Sequence, residues 1–203
     1  MLKADIYNNF VYKTKFNFDY DKIKSVCDDM LDAHRKYPKE YLHINSYSSY
    51  HNPVQPHKLK EFQDYYEFIK PIYTDIIFNK WNYPKNENVE YKISNSLIAK
   101  YEDNGYINEH NHDGAVCVIV GYIKLKENGG IIKMRDPFYD FKKTLINMKD
   151  EDWLWQSVEV EESDIIFFPG AMWHKTLPNL SNSERIIIST NINIQKQKNN
   201  CII

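Results

Sequence analysis

The sequence predicts an α+β protein in which helices pack on one side of an antiparallel, jelly-roll-like double sheet. Helical periodicity is confined to residues 1–90, whereas short β-branched runs dominate residues 91–194. Those runs recur at roughly ten-residue intervals, a spacing that favours a sandwich or jelly roll over alternating β–α–β units. The 203-residue length suits a single domain with one core. Within it the pattern marks a helical support region (1–90), a strand-built core (91–194) and a tail (195–203).

In the helical region, "DYDKIKSVCDDMLDAHRKY" brings Ile23, Val26, Met30, Leu31 and His34 near one helical face, with Asp19 or Asp21 able to cap its start. A second helix is predicted through "PHKLKEFQDYYEFIKPIYTDIIFNKW", with Leu59, Phe62, Tyr66 and Ile69 as its apolar stripe and Pro71 kinking or dividing it. Between the two, "INSYSSYHNPVQP" reads as a polar loop. The strands are "YKISNSLIAKY", "AVCVIVGYIKL", "GGIIKMRD", "DIIFFPG" and "ERIIISTNINI", each bounded by Gly, Pro, Asn or Asp. The tail "QKQKNNCII" is expected to fray or to pack at an edge.

Composition excludes several classes. A hydrophobic content of 42% with 15% aromatics is not that of a disordered chain. The formal charge of −2 supplies no basic field for nucleic acid or a membrane surface. No apolar run is long enough for a transmembrane helix, and "MLKADIYNNF" lacks the apolar stretch of a signal peptide. Cys27, Cys117 and Cys201 are odd in number and scattered, which points to reduced thiols and a cytoplasmic chain.

The segment "INEHNHDG" carries the chemistry. In an extended chain residues two apart share a face, so His110 and His112 can project into one cavity. His174 follows the strand and turn "DIIFFPGAMWH". Three imidazoles from two strand ends can hold one divalent ion with open positions, and imidazole suits Fe, Zn, Cu and Ni alike. Taken alone, an H-x-H pair is more often an incidental feature of a strand edge. His34, His43, His51 and His57 show no such pattern and read as surface or core residues.

The longer strings "LIAKYEDNGYINEHNHDG", "VIVGYIKLKENGGIIKMRDP" and "VEVEESDIIFFPGAMWHKTLPNLSNSERIIISTNI" together resemble the 2-oxoglutarate- and Fe(II)-dependent oxygenases, most closely the small, mostly uncharacterised bacterial and phage members. The resemblance covers roughly residues 95–194. It implies a double-stranded β-helix, Fe(II) near one end, 2-oxoglutarate as cosubstrate, O2, and hydroxylation of an unidentified small-molecule or protein substrate with release of succinate and CO2. The family's ligand set is His-x-Asp/Glu with a distal His. Matching that pattern puts ligands on His110 and His174, and the carboxylate position falls on His112, a departure. Three readings stay open: His112 is itself the third ligand, Asp113 reaches in, or only two residues hold the metal. The first is favoured.

The resemblance also implies a cation for the far carboxylate of 2-oxoglutarate, and Arg185 stands where it belongs. Its planar fork suits a carboxylate; a surface salt bridge is the plain alternative. Ser189 and Asn191 follow on the same strand face by period two; Tyr101, Tyr106 and Tyr122 are weaker candidates, Tyr101 for the cosubstrate pocket and each equally readable as a core aromatic, and Trp173 either walls the site or packs. Residues 137–160 are too long for a tight hairpin and suggest a lid or substrate rim, although Phe138, Tyr139, Phe141, Trp153 and Trp155 read more readily as a satellite hydrophobic cluster than as substrate contacts. Two other classes compete. A cupin-type metal dioxygenase or isomerase would share the histidines but give Arg185 no role. A non-catalytic jelly-roll binding or structural protein would leave these groups pointing apart.

Overall fold

The computed structural model describes residues 10–36, 43–85, 89–138 and 154–196. Nine strands and two α-helices are found among them: β1 (Tyr12–Lys15), α1 (Tyr20–Lys36), β2 (His43–Ser48), α2 (Gln63–Asp75), β3 (Val89–Ile107), β4 (Ala115–Lys124), β5 (Ile132–Arg135), β6 (Trp155–Val158), β7 (Asp164–Pro169), β8 (His174–Thr176) and β9 (Arg185–Lys196). A six-stranded sheet runs β1-β7-β4-β9-β3-β2, and a three-stranded sheet runs β6-β5-β8. Every pairing is antiparallel. This is the double-stranded β-helix, with its helices on one face of the larger sheet.

Parity along the central strands explains the layering. β4 reads as an almost unbroken apolar run because both of its faces are covered. Cys117 and Ile119 pack toward the helices, while Val118, Val120 and Tyr122 face the smaller sheet. β7 divides its residues the same way, with Ile165 and Phe167 on the helix side and Ile166 and Phe168 between the sheets. On β9, Ile186, Ile188 and Ile192 join the helix-side core, which leaves Arg185, Ile187, Ser189 and Asn191 on the opposite face.

Helix α1 starts where expected, with the Lys22 N–H donating to the Asp19 carboxylate at 3.3 Å. Its buried stripe is Ile23, Cys27, Met30 and Leu31, at helical spacing. The second helical segment departs from expectation. Two short 3₁₀ turns, Pro56–Lys58 and Lys60–Phe62, precede α2, and a π turn over Ile76–Lys80 follows it. Pro71 does not divide α2. It is exposed, so the backbone carbonyl deprived of its partner can turn to water.

The N-terminal ninety residues also supply two strands. The stretch read as a polar loop forms β2, an edge strand on β3 with a register shift between Ile44 and Ser46. Its polar residues suit an edge with one wet side. β1 caps the opposite edge against β7. No helix among the described residues is long and apolar enough to cross a membrane, and Cys27 and Cys117 are buried free thiols.

One buried side chain fastens the loop between β8 and β9. Asn179 is fully buried, and its Nδ2 donates to the carbonyls of Tyr101 (3.2 Å), Glu102 (3.2 Å) and Ser183 (2.6 Å). Its Oδ1 accepts from the Ser181 hydroxyl at 2.7 Å. Asn179→Ala strands these groups, so a stability loss of about 2–3 kcal/mol is expected in urea unfolding. An unchanged midpoint would show that water replaces the carboxamide.

Candidate metal centre

The segment between β3 and β4 is held by backbone bonds to the chain around β8. His110 and His174 form an isolated antiparallel bridge: the His110 N–H donates to the His174 carbonyl at 3.0 Å, and the reverse bond is 2.9 Å. The His112 N–H donates to the Gly170 carbonyl at 2.9 Å, and the Ala115 N–H closes a turn onto the His112 carbonyl at 3.0 Å. Gly170 permits this close approach, since a Cβ there would lie 2.2 Å from the Ala115 carbonyl oxygen. The expected strand start at His110 and His112 is therefore a bridged loop, and the bridge, rather than strand parity, brings the rings together.

The three imidazoles converge. Ring centroids lie 4.2 Å apart for His110 and His174, 5.2 Å for His110 and His112, and 5.2 Å for His112 and His174, the last pair nearly parallel at 11°. One nitrogen from each ring lies within 4.8 Å of the others, and this is the one such cluster of His, Cys, Asp or Glu among the described residues. Three nitrogens each about 2.1 Å from one ion stand about 3.0–3.4 Å apart in tetrahedral or facial octahedral geometry, so the rings need only draw together slightly to ligate one ion.

Tautomers are set by the backbone. Nδ1 of His110 lies 2.8 Å from the Asn108 carbonyl, and Nδ1 of His174 lies 2.9 Å from the Met172 carbonyl. A carbonyl only accepts, so each Nδ1 carries the proton and each Nε2 keeps its lone pair. Burial lowers all three proton affinities. His174 is pushed well below the ordinary value, by burial first and then by the other two rings. His112 is held at about 4 by burial and by His110, with the Asn191 amide offsetting part of the shift. His110 is lowered by burial. Three neutral imidazoles with lone pairs free are the donor set a first-row divalent ion takes. Asp113 lies exposed on the turn and outside the cluster.

These histidines line a cavity of about 570 Å³. Arg185, Ile187, Ser189 and Asn191 of β9 face it, as do Asn95, Leu97 and Tyr101 of β3, Val120 and Tyr122 of β4, Ile132 of β5 and Thr176 of β8. Arg185 is 1% exposed. Its Nη1 donates to the carbonyls of Gly129 (2.9 Å) and Gly130 (3.3 Å), and its Nη2 to the Thr176 hydroxyl oxygen (3.0 Å). The guanidinium lies 4.1 Å from the centroid of the Tyr101 ring. Its Nε is buried without a partner, and no carboxylate pairs with it among the described residues. Arg185 is thus no surface ion pair.

Ser189 and Asn191 lie on the expected face, and Tyr101 and Tyr122 in the expected wall. Tyr106 and Trp173 do not line the cavity, and Trp173 is 41% exposed. Of the proposed rim, Tyr139, Phe141 and Trp153 fall outside the described residues. Phe138 is exposed, and the Trp155 ring packs under the Lys175 ammonium at 4.2 Å. The sequence reading missed Thr176, Asn95, Asn111, Tyr50 and His51, all of which line the cavity. His51, read as outside the site, stands at the rim with its ring edge-to-face on Tyr50 at 5.1 Å. Nothing in one-dimensional spacing marks these residues. Thr176 alone was findable, two residues beyond His174 on the same strand face.

Residues 96–191, which hold the histidine cluster and Arg185, match the family model described as a putative 2OG-Fe(II) oxygenase. The whole fold is shared with solved structures. A Pseudomonas putida prolyl-4-hydroxylase superposes with a TM-score of 0.60 at 14% identity, over 96% of each chain. A prolyl hydroxylase from Trichoplax adhaerens gives 0.56 at 11% identity, over 91% of this chain and 84% of that one. HygX from Streptomyces hygroscopicus, with nickel and 2-oxoglutarate bound, gives 0.54 at 10% identity, over 95% and 87%. At these identities the likeness establishes the fold alone. Among curated proteins none matches the sequence. The strand-built core of this chain thus matches the 2-oxoglutarate- and Fe(II)-dependent oxygenases in both family model and fold. The match marks the protein as an oxygenase that uses Fe(II) and 2-oxoglutarate.

The Arg185 cradle depends on Gly130. That residue has φ +93°, and a Cβ there would lie 2.2 Å from Arg185 Nη1 and 2.5 Å from the Leu177 carbonyl oxygen. Gly114 has a similar φ of +83° but only Asn193 Nδ2, at 3.7 Å, nearby. Gly130→Ala should therefore destabilise the protein by about 1–3 kcal/mol in urea unfolding, and by more than Gly114→Ala. Equal losses would mean that backbone strain alone accounts for the effect and that the cradle yields easily.

Proposed function

We propose that His110, His112 and His174 together hold Fe(II), and that Arg185 with Thr176 receives the far carboxylate of 2-oxoglutarate. On this reading the enzyme hydroxylates its substrate. The observation that carries it is a buried guanidinium, with no acidic partner among the described residues, in the same cavity as three converging neutral imidazoles. His110, His112 and His174 would hold Fe(II), which when bound would supply the redox chemistry that couples oxidative decarboxylation of 2-oxoglutarate by O2, to succinate and CO2, with hydroxylation of a substrate C–H bond.

The chain's own residues supply position and charge. His174 and Thr176 lie two residues apart on β8, about 6.6 Å along the strand, which matches the reach of a short dicarboxylate. Thr176 Oγ1 accepts from Arg185 Nη2 and from the Ile107 N–H at 3.1 Å, so its own hydroxyl proton is left to donate. With Nη1 tied to carbonyls, the grip on the carboxylate is through the unpartnered Nε–H and the Thr176 hydroxyl rather than through both outer arms of the fork. Tyr101 fixes the guanidinium plane, and Ile187, Ile132 and Val120 keep that end of the cavity dry.

The rest of the lining indicates the substrate. Asn95, Asn111, Leu97 and Ile107 are uncharged, and Asp113 is the one acid. This suits a neutral or weakly cationic group presented to the metal. One relative is described in complex with a peptide fragment of hypoxia inducible factor, another with hygromycin B bound. The same architecture thus serves a protein segment and a small molecule. The histidines alone also fit the cupin alternative, but that reading leaves the Arg185 cradle unexplained.

Arg185→Ala should weaken 2-oxoglutarate binding about a hundredfold or more, measured by calorimetry with Mn(II) in place of Fe(II) to prevent turnover. Arg185→Lys should recover only part of the loss, because a point charge lacks the directed Nε–H. Wild-type protein that binds Mn(II) but no 2-oxoglutarate would overturn the assignment. In parallel, His112→Ala should weaken metal binding strongly while Asp113→Ala leaves it nearly unchanged. The reverse pattern would move the third ligand to Asp113.

A further inference from the structure

We propose that Asn191 is a positioning residue for His112, holding one ring nitrogen through its carboxamide oxygen so that the other faces the metal. The inference rests on His112 being a ligand. It gives Asn191 a role distinct from binding 2-oxoglutarate.

The argument starts from an asymmetry among the histidines. His110 and His174 each tie Nδ1–H to the backbone carbonyl two residues upstream, at 2.8 and 2.9 Å. No backbone carbonyl plays this part for His112 among the described residues. One ring nitrogen is thus left without an orienting partner. On the facing strand, Asn191 Oδ1 is buried and lacks any donor. Asn191 and His112 line the same cavity: Asn191 pairs with Val118 on β4, and His112 sits on the turn that leads into β4, its carbonyl accepting from the Ala115 N–H at 3.0 Å. A donor without an acceptor therefore stands beside an acceptor without a donor. The cross-strand neighbour Asn95 does not satisfy Asn191, and its own Oδ1 is equally unpartnered.

The chemistry of a neutral imidazole makes this pairing consequential. A ring that gives a lone pair to a metal carries its proton on the other nitrogen, and an acceptor there fixes tautomer and orientation and raises the ring's basicity as a ligand. His110 and His174 receive that service from the backbone. His112 stands where the family pattern has a carboxylate, on a turn whose backbone bonds go to Gly170 and Ala115, so a side chain must provide it. Asn191 is on the cavity face of β9, the strand that also carries Arg185, and it gives this ligand a fixed support from the sheet.

Zn(II) tests the idea without turnover, since it is redox-inert and diamagnetic. Zn(II) affinity is measured by calorimetry, and the His112 side-chain N–H is followed by 1H–15N NMR in Zn(II)-loaded protein. Asn191→Leu should weaken Zn(II) binding about 10- to 100-fold and leave the His112 N–H in fast exchange, whereas the wild type protects it. Asn191→Asp, which keeps an acceptor in place, should retain affinity within a few-fold and keep the N–H protected. In a His112→Ala background, Asn191→Leu should add no further loss. Wild-type affinity and a protected N–H in Asn191→Leu would overturn the proposal, as would an equal loss in the His112→Ala background. If His112→Ala itself leaves Zn(II) binding intact, the three-histidine centre fails and the inference falls with it. Loss in His112→Ala with none in Asn191→Leu refutes the role of Asn191 alone.

Discussion

A guanidinium sealed inside the protein, with no acid among the described residues to neutralise it, is the constraint around which this molecule is organised. Burying a charge is costly, and desolvation pulls the Arg185 proton affinity down. The protein offsets that with backbone carbonyls from the β4–β5 loop, with the Thr176 hydroxyl and with the face of Tyr101. Those partners belong to three parts of the chain, so Arg185 also ties the two sheets together at this end. The carbonyls offer partial charges only. The positive charge is still unmatched, and it faces a cavity whose other end bears three neutral lone pairs. An anion that also binds a metal completes the arrangement, and 2-oxoglutarate is such an anion.

The fold makes this economical through strand parity. On β9 the helix-facing positions are Ile186, Ile188, Thr190 and Ile192, and the alternate positions are Arg185, Ile187, Ser189 and Asn191. One strand therefore contributes both to the main core and to the chemistry. β8 does the complementary work in three residues: His174 belongs to the imidazole cluster, and Thr176 steadies the guanidinium. The reciprocal bridge between His110 and His174 then sets the distance between the loop bearing two imidazoles and the strand bearing the third.

Much of this was legible in the sequence, for physical reasons. The five central strands are strongly β-branched, and α1 shows both its cap and its stripe, so local preference and tertiary context agree there. The edge strands β1, β2, β6 and β8 were missed because they are three to six residues long and largely polar. Their pairing comes from a neighbour rather than from their own pattern. Pro71 was overread, because a proline on an exposed helical face sacrifices a hydrogen bond that water can replace. At the site, His110, His112 and His174 stood out by type and spacing, and Arg185 through the family resemblance. Asn95, Tyr50 and His51 did not, because only the pairing of β2 with β3 and of β3 with β9 carries them to the cavity. Asn179 was invisible for the same reason, since its carbonyl partners at Tyr101 and Glu102 are nearly eighty positions away.

The central claim is that the imidazole cluster and the guanidinium form one site for a metal and a dicarboxylate together. Anaerobic titration of the protein with Fe(II) and then 2-oxoglutarate, followed by visible absorption, tests it directly. The account predicts that a weak charge-transfer band of the chelate appears only when both are present, saturates at one equivalent, and is lost in His174→Ala. Fe(II) binding without any band on addition of 2-oxoglutarate would contradict it.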